Sequence, residues 1–233
     1  MSERETWKRR AAERALEFVE DGMTLGLGTG STARHILELL AERRRAGELT
    51  RIVGVPTSRA TADLALELGI PLVTLKDEPR LDLALDGADE IDPRLDLLKG
   101  LGGALLWEKI VAAAADTFIV VADESKLVDR LGERAPLPVE VVPFGWTTHL
   151  AAIDRLGGQA VLRQNPDGSP FLTDSGHYIL DCRFDGGIPD PPHTHAELRQ
   201  RPGVVETGLF LGLAHAAVIG GAEGVRVLRR GAP

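Results

Sequence analysis

The sequence predicts an α/β fold in which a mostly parallel sheet is flanked by helices, with a second, smaller α+β domain. Two observations lead to this prediction. Through the first half of the chain, short apolar runs alternate with segments of helical periodicity, which is typical of a parallel sheet with helices on both faces. After Pro136-Leu137-Pro138 the pattern changes to strand-like runs around the turn Asn165–Ser169, and near residue 204 the apolar pattern returns.

The individual elements follow from the spacing of apolar residues. A period near 3.6 predicts helices over 6–20, 33–45, 58–68, 103–115 and 145–156. Short apolar or alternating runs predict strands over 23–27, 51–55, 72–75, 81–85, 118–121, 159–163 and 177–184. We therefore predict a large α/β domain formed by 1–128 plus 205–233, and a small α+β domain formed by 129–204.

Composition narrows the classes of function. The net charge of -8 argues against bulk binding of nucleic acid, which requires a concentrated basic surface. The single Cys182 excludes an intramolecular disulfide and fits a reducing compartment, and its strand-like surroundings predict an inert packing role. The charged N-terminal segment lacks the apolar stretch of a secretory signal, and no apolar run is long enough to span a bilayer. We expect a cytoplasmic protein with no membrane partner.

The loop Gly26–Thr32 lies between a predicted strand and a predicted helix. Such a turn aims backbone N–H groups at an anion, and the helix dipole adds to the attraction. A dinucleotide fingerprint would require glycine where Ser31 stands, and a P-loop would require a lysine that the loop lacks. The loop alone predicts a site for phosphate or another anion, with a structural turn as the alternative.

Acidic residues crowd the end of the strand predicted over 81–85. The segment Asp86–Asp92 carries four carboxylates, in the region where open α/β sheets bind ligands. Catalysis or ligand binding is one interpretation of this segment. A solvated acidic turn or a metal site is the other.

Glu108 is the strongest candidate for a catalytic base. It follows the turn Lys99–Gly103 and lies on a helix that is apolar nearly all round, which predicts burial. Desolvation in such a place would raise the pKa of the carboxyl toward the working pH, the condition for a general base. The alternative is an ion pair with another helix, since the adjacent Lys109 cannot share the face of Glu108.

Two further features bear on ligand binding. Lys126 follows the strand predicted over 118–121, so a parallel sheet would bring it to the same edge as the glycine loop and the acidic segment. His193 and His195 have no third ligand at convincing spacing, so we predict no metal site.

These segments occur together and in order: Gly28–Thr32, Asp86–Glu90, Lys99–Ala104, Glu108-Lys109 and Ala122–Lys126. The ordered set resembles the ribose 5-phosphate isomerase A family. The resemblance continues through Pro138–Pro143, Tyr178–Asp181 and Pro202–Phe210, and therefore covers almost the whole chain. Trp107 departs from the pattern, which leads us to expect Arg or another polar residue before the glutamate.

The resemblance implies a Rossmann-like fold and an aldose–ketose isomerase that interconverts D-ribose 5-phosphate and D-ribulose 5-phosphate through an enediol. It implies that Glu108 accepts the proton, and our mechanistic hypothesis adds Asp86 and Lys99 to the catalytic residues. No cofactor is expected because hydrogen moves as a proton, and the family usually assembles as homodimers or homotetramers. The expected substrate-binding residues are Lys8, Thr29, Gly30, Ser31, Thr32, Asp86, Gly87, Ala88, Asp89, Lys99, Gly100, Leu101, Gly102 and Lys126.

Two other functions are alternatives to the isomerase. An aminosugar-phosphate deaminase is less consistent with the sequence, because no well-placed catalytic histidine lies near the acidic segment. A non-catalytic sugar-phosphate sensor would be expected to lack the buried Glu108 and to carry a DNA-binding segment.

Overall fold

The fold is taken from a computed structural model, which describes residues 2–231. The helices are Glu3–Ala15 (α1), Ser31–Arg45 (α2), Arg59–Glu67 (α3), Leu105–Ala114 (α4), Leu150–Arg155 (α5) and Pro191–Arg199 (α6). The strands are Thr24–Leu27 (β1), Val53–Pro56 (β2), Leu81–Asp86 (β3), Glu90–Ile91 (β4), Leu97–Leu98 (β5), Ala115–Asp123 (β6), Leu137–Val141 (β7), Gly158–Leu162 (β8), Tyr178–Phe184 (β9), Val204–Thr207 (β10), Leu209–Phe210 (β11), Ala216–Gly221 (β12) and Gly224–Arg229 (β13).

Side-chain caps determine where three of the helices begin. Ser2 accepts a hydrogen bond from the N–H of Glu5 at the start of α1, and Ser58 accepts one from the N–H of Thr61 at the start of α3. Asp190 caps α6, whose first residue is a proline. Each cap satisfies an N–H group that has no partner within its own helix.

Contacts divide the chain into two compact units, the first of which comprises Met1–Ala88, Trp107–Lys126 and Leu213–Pro233. Its six-stranded sheet has the order β13-β12-β6-β3-β1-β2, and every neighbouring pair is parallel except the hairpin β12–β13. The carboxyl ends of β1, β3 and β6 therefore lie along one edge of the sheet. This is the edge at which open α/β sheets bind ligands.

The second unit comprises Asp89–Leu106 and Leu127–Gly212. It contains a four-stranded antiparallel sheet in the order β10-β7-β9-β8, a three-stranded sheet in the order β11-β5-β4, and the helices α5 and α6. Its apolar core is built from β7 and β9, whose side chains Leu137, Val139, Leu180 and Cys182 are fully buried.

The predicted fold class is confirmed: a mostly parallel sheet flanked by helices occurs together with a smaller unit of antiparallel strands and helices. The predicted strand over 72–75 is wrong. Leu72 makes only an isolated bridge to Gly54, and the chain then turns because the carbonyl of Thr74 accepts the N–H groups of Asp77 and Glu78. The final strand β13 was not predicted, because its arginines make an exposed edge strand resemble a polar loop.

The two units differ from the predicted domains in where three segments fall. The prediction assigned 89–106, 127–128 and 205–212 to the large domain, whereas contacts group them with the second unit. The reason is strand pairing, since β4, β5, β10 and β11 all belong to sheets of that unit. Within residues 2–231, no helix combines the length and the apolar character needed to cross a membrane.

Cys182 is fully buried in β9, and burial raises the pKa of its thiol far above the ordinary value, with a further contribution from the charge of Asp181. Because the thiolate is the reactive form, we expect the folded protein to react with a disulfide reagent far more slowly than the protein in guanidinium chloride. Absorbance of the released thiol measures both rates. Equal rates in the two states would contradict the burial of Cys182.

Candidate active site

The glycine loop joins the end of β1 to the start of α2 in the first unit. A Cβ atom on Gly28 would overlap the carboxylate of Asp86 and lie 2.6 Å from the Asp86 Cα, so only glycine fits there. Gly30, which immediately precedes α2, has φ of 106°, a conformation that side chains rarely adopt. The N–H of Thr29 donates to Asp86 Oδ1 over 3.1 Å. The loop and Asp86 therefore fix one another.

The hydroxyl of Thr29 has a structural role that the sequence did not reveal. Its Oγ1 lies 2.7 Å from Thr57 Oγ1, 2.9 Å from Ser58 Oγ and 3.0 Å from Thr61 Oγ1. Thr61 in turn donates to the carbonyl of Gly28 over 2.9 Å. This cluster of hydroxyls ties the glycine loop to the start of α3, so Thr29 supports the loop through its side chain.

Lys8 lies on α1, and its side chain reaches the first residue of α2. Its Nζ is 2.9 Å from Ser31 Oγ and 2.7 Å from Glu5 Oε1. The second carboxylate oxygen of Glu5 is 2.8 Å from His35 Nε2. The hydrogen bond from Lys8, followed by that from His35, lowers the pKa of Glu5 below its ordinary value. A cation is therefore held beside the hydroxyl of the first residue of α2.

Asp86 ends β3 and is only 3% exposed. Besides the N–H of Thr29, its Oδ1 accepts the N–H of Gly87 over 2.7 Å. Lys126 ends the short helical turn Glu124–Lys126 that follows β6. The strands β1, β3 and β6 are parallel and adjacent. The glycine loop, Asp86 and the turn of Lys126 come at their carboxyl ends and therefore lie at the same edge of the sheet.

Glu108 lies on α4 and is only 6% exposed. Val111, one turn further along, packs so closely on β1 that a Cβ atom on Gly26 would lie 2.5 Å from its Cγ1. Residues three apart share a helix face, so Glu108 lies on the face of α4 that packs against the sheet. The expectation of burial on all sides is wrong for Ile110, which is 47% exposed and lines an apolar groove of about 430 Å³ with Trp107 and Leu75.

The remaining carboxylates of the acidic segment belong to the second unit, where each has separate partners. Asp89 Oδ2 accepts the N–H of Leu101 over 2.9 Å. Glu90 is 1% exposed and accepts three backbone N–H groups of a single loop, those of Gly132, Arg134 and Ala135, over 2.5 to 2.7 Å. This geometry gives Glu90 a structural role, which the sequence did not distinguish from a catalytic one.

The turn Lys99–Gly103 is built by backbone pairing and by glycine. The N–H of Lys99 donates to the carbonyl of Gly208 over 2.9 Å, and its Nζ lies 5.6 Å from the ring centre of Phe210. Gly100 and Gly103 have φ of 108° and 82°. A side chain at Gly103 would also collide with the ring of Phe171. Lys99 itself is only 3% exposed, so the packing around it restricts the position of its side chain.

Direct contacts join some of the predicted site residues and leave others separate. In the first unit Lys8 contacts Ser31 and Thr29 contacts Asp86; in the second unit Asp89 contacts Leu101. Across residues 2–231, no group of three or more histidine, cysteine or acidic side chains is arranged to hold a metal ion.

Comparison with known proteins identifies relatives along nearly the whole chain. The family model for ribose 5-phosphate isomerase A (phosphoriboisomerase A) matches residues 53–224. Ribose-5-phosphate isomerase A of Roseiflexus castenholzii is 60% identical over 94% of this chain and 93% of that protein. The corresponding protein of Nitrobacter hamburgensis is 58% identical over 96% of this chain and 97% of its own. A solved structure of D-ribose-5-phosphate isomerase in complex with phospho-erythronic acid superimposes with a TM-score of 0.95 at 43% identity, covering 98% of this chain and 100% of that one.

Proposed function

This chain belongs to the ribose 5-phosphate isomerase A family, and on that premise we propose that it interconverts D-ribose 5-phosphate and D-ribulose 5-phosphate through an enediol intermediate. The structural observation that carries the proposal is Glu108, a carboxylate only 6% exposed on the sheet-facing side of α4. A buried carboxylate is costly unless it is paired or used, and proton abstraction next to a carbonyl uses one.

The reaction begins with opening of the sugar ring. Asp86 accepts or relays the proton of the C1 hydroxyl, and a proton is returned to the ring oxygen, which leaves an aldehyde at C1. Asp86 suits this role because the backbone N–H groups of Thr29 and Gly87 already fix its carboxylate. No electron transfer accompanies this step.

Glu108 then removes the proton from C2, and the electron pair forms the C1–C2 double bond of the enediol while charge develops on O1. Lys99 stabilises that charge, and preorganised cations act most strongly where charge develops in the transition state. Glu108 returns its proton to C1, and the O2 proton is transferred to O1 to leave the ketone at C2. Hydrogen moves only as a proton, so no redox cofactor takes part.

The phosphate binds at the start of α2. Ser31, Thr32 and the backbone N–H groups that follow Gly30 supply neutral donors, and the dipole of α2 favours an anion there. Lys8 and Lys126 supply the positive charge. The turn Lys99-Gly100-Leu101-Gly102 and the residues Gly87, Ala88 and Asp89 line the sugar, and Asp89 orients its hydroxyl groups.

We further propose that the chain assembles as a homodimer or homotetramer and works in the cytoplasm. Family membership supports the assembly, and a single buried cysteine without a disulfide fits a reducing compartment. Light scattering of the purified protein measures the assembly directly. A monomeric mass at micromolar concentration would contradict it.

A coupled assay for ribulose 5-phosphate tests the proposed activity. The purified chain is given ribose 5-phosphate with and without EDTA, and in parallel an aminosugar phosphate with detection of ammonia. We expect ketose formation that EDTA does not alter, and no release of ammonia. Binding of ribose 5-phosphate without turnover would instead indicate a sensor, and ammonia release a deaminase.

A further inference from the structure

Arg163 lies immediately after β8 in the second unit, and its side chain is only 13% exposed. One edge of its guanidinium group binds the carboxylate of Asp181 through two bonds: Nε lies 2.9 Å from Oδ2 and Nη2 lies 2.5 Å from Oδ1. Val161 pairs directly with Asp181 across β8 and β9, so Arg163 is the diagonal neighbour of Asp181 on the same face. This paired geometry fixes the plane of the guanidinium group.

The other edge of the guanidinium group reaches the turn Lys99–Gly103. Its Nη1 lies 3.0 Å from the carbonyl oxygen of Gly100 and 3.0 Å from that of Leu101. Two carbonyl oxygens that converge on one point repel each other unless a donor lies between them. The donor at Nη1 therefore stabilises the conformation of this turn, in which Gly100 has φ of 108°.

Leu101 is consequently held on both sides of its backbone. Its N–H donates to Asp89 Oδ2 over 2.9 Å, and its carbonyl accepts from Arg163. A hydrogen bond fixes both of its partners, so the same contacts keep the carboxylate of Asp89 in place. Lys99 is anchored independently, through the carbonyl of Gly208 and the ring of Phe210.

We propose that Arg163, held by Asp181, is a positioning residue that keeps the Gly100-Leu101 turn and Asp89 in the conformation that binds the sugar. Lysine cannot replace it, because an ammonium group has no planar fork to bind a carboxylate and two carbonyls together. The effect of Arg163 on substrate affinity rests on the proposed function, whereas its effect on the turn does not.

Steady-state kinetics with ribose 5-phosphate test the proposal through the separation of KM from kcat. We expect Arg163→Met to raise KM about tenfold and to leave kcat within about threefold, because the turn must be ordered by the substrate while Lys99 keeps its own anchors. Arg163→Lys should change KM in the same direction with a smaller loss of thermal stability, which keeps the test informative if Arg163→Met folds poorly. Arg183→Lys, at an exposed position of β9 in the same unit, is the matched control and should match the wild type.

The role of Asp181 is tested by combining substitutions. Asp181→Asn alone should raise KM less than Arg163→Met does. Because Asp181 acts through Arg163, the double variant Arg163→Met/Asp181→Asn should have the KM of Arg163→Met alone. A double variant whose KM is the product of the two single effects would overturn this assignment, since it would give Asp181 an independent contribution.

Hydrogen exchange of the ligand-free protein separates failure of this proposal from failure of the proposed function. We expect amides of 100–103 to exchange about tenfold faster in Arg163→Met than in the wild type, while the six-stranded sheet of the first unit is unaffected. That result would support the positioning role even if ribose 5-phosphate proved not to be the substrate. Unchanged exchange of 100–103 together with a KM within about twofold of the wild type would overturn the proposal, because both effects follow directly from the loss of the hydrogen bonds of Arg163.

Discussion

Glu108→Gln is expected to lower kcat about 1,000-fold while KM stays within about threefold of the wild-type value, because general acid–base catalysis typically contributes factors of this size. Glutamine keeps the shape of the side chain and its hydrogen-bonding capacity but cannot accept the proton from C2. The carboxylate is 6% exposed and lies on the packed face of α4, so the isosteric change should leave the fold intact. Initial rates of ketose formation across substrate concentrations measure both constants.

Glu67→Gln provides the control, since Glu67 is an exposed glutamate at the end of α3 in the same unit. It should retain wild-type kcat and KM. Turnover by Glu108→Gln within about tenfold of the wild type would rule out Glu108 as the base, because proton abstraction would then not depend on its carboxylate.

Gly28→Ala is expected to lower the free energy of unfolding by about 3 kcal/mol, the upper part of the usual range for overpacking. The added Cβ would overlap the carboxylate of Asp86 and lie 2.6 Å from its Cα, and a backbone atom within a central strand cannot move aside easily. For a chain of this length the change corresponds to about 8 °C in Tm. Because the displaced residue is the one proposed to open the sugar ring, kcat/KM should also fall at least about tenfold.

Gly102→Ala is the matched control for stability. A Cβ atom there would meet nothing within 4 Å, and the glycine does not have positive φ. Thermal unfolding of both variants by calorimetry gives the comparison. If Gly28→Ala were as stable as Gly102→Ala, the close approach of Asp86 to the glycine loop could not be as described.

Local sequence patterns predict much of the candidate site because its main parts are contiguous in the chain. The glycine loop was predicted from a strand, a turn with hydroxyl residues and the start of a helix within seven residues. Glu108 was predicted from the apolar residues around it on a single helix. The parallel arrangement of β1, β3 and β6 then brought the loop, Asp86 and the turn of Lys126 to one edge, as the alternation of strands and helices implied.

The parts that could not be predicted depend on contacts between residues distant in the sequence. Arg163 reaches the carbonyls of Gly100 and Leu101 only because β8 and β9 pair in the observed register. In the sequence, Glu90 cannot be distinguished from its acidic neighbours. Its structural role depends on three backbone N–H donors from a loop more than 40 residues later in the chain. Similarly, no sequence pattern around Thr57 and Thr61 predicts that their hydroxyl groups contact the hydroxyl group of Thr29.

The central claim is that the chain moves a proton between C2 and C1 of a sugar phosphate by means of Glu108. Nuclear magnetic resonance of ribose 5-phosphate in D₂O tests it most directly, with wild type and Glu108→Gln compared at equal concentration. The account predicts that ribulose 5-phosphate accumulates with the wild type, that the deuterium it gains from solvent lies at C1, and that ketose does not accumulate with the variant over the same period. The absence of ketose with the wild type, or ketose formation by Glu108→Gln at the wild-type rate, would contradict it.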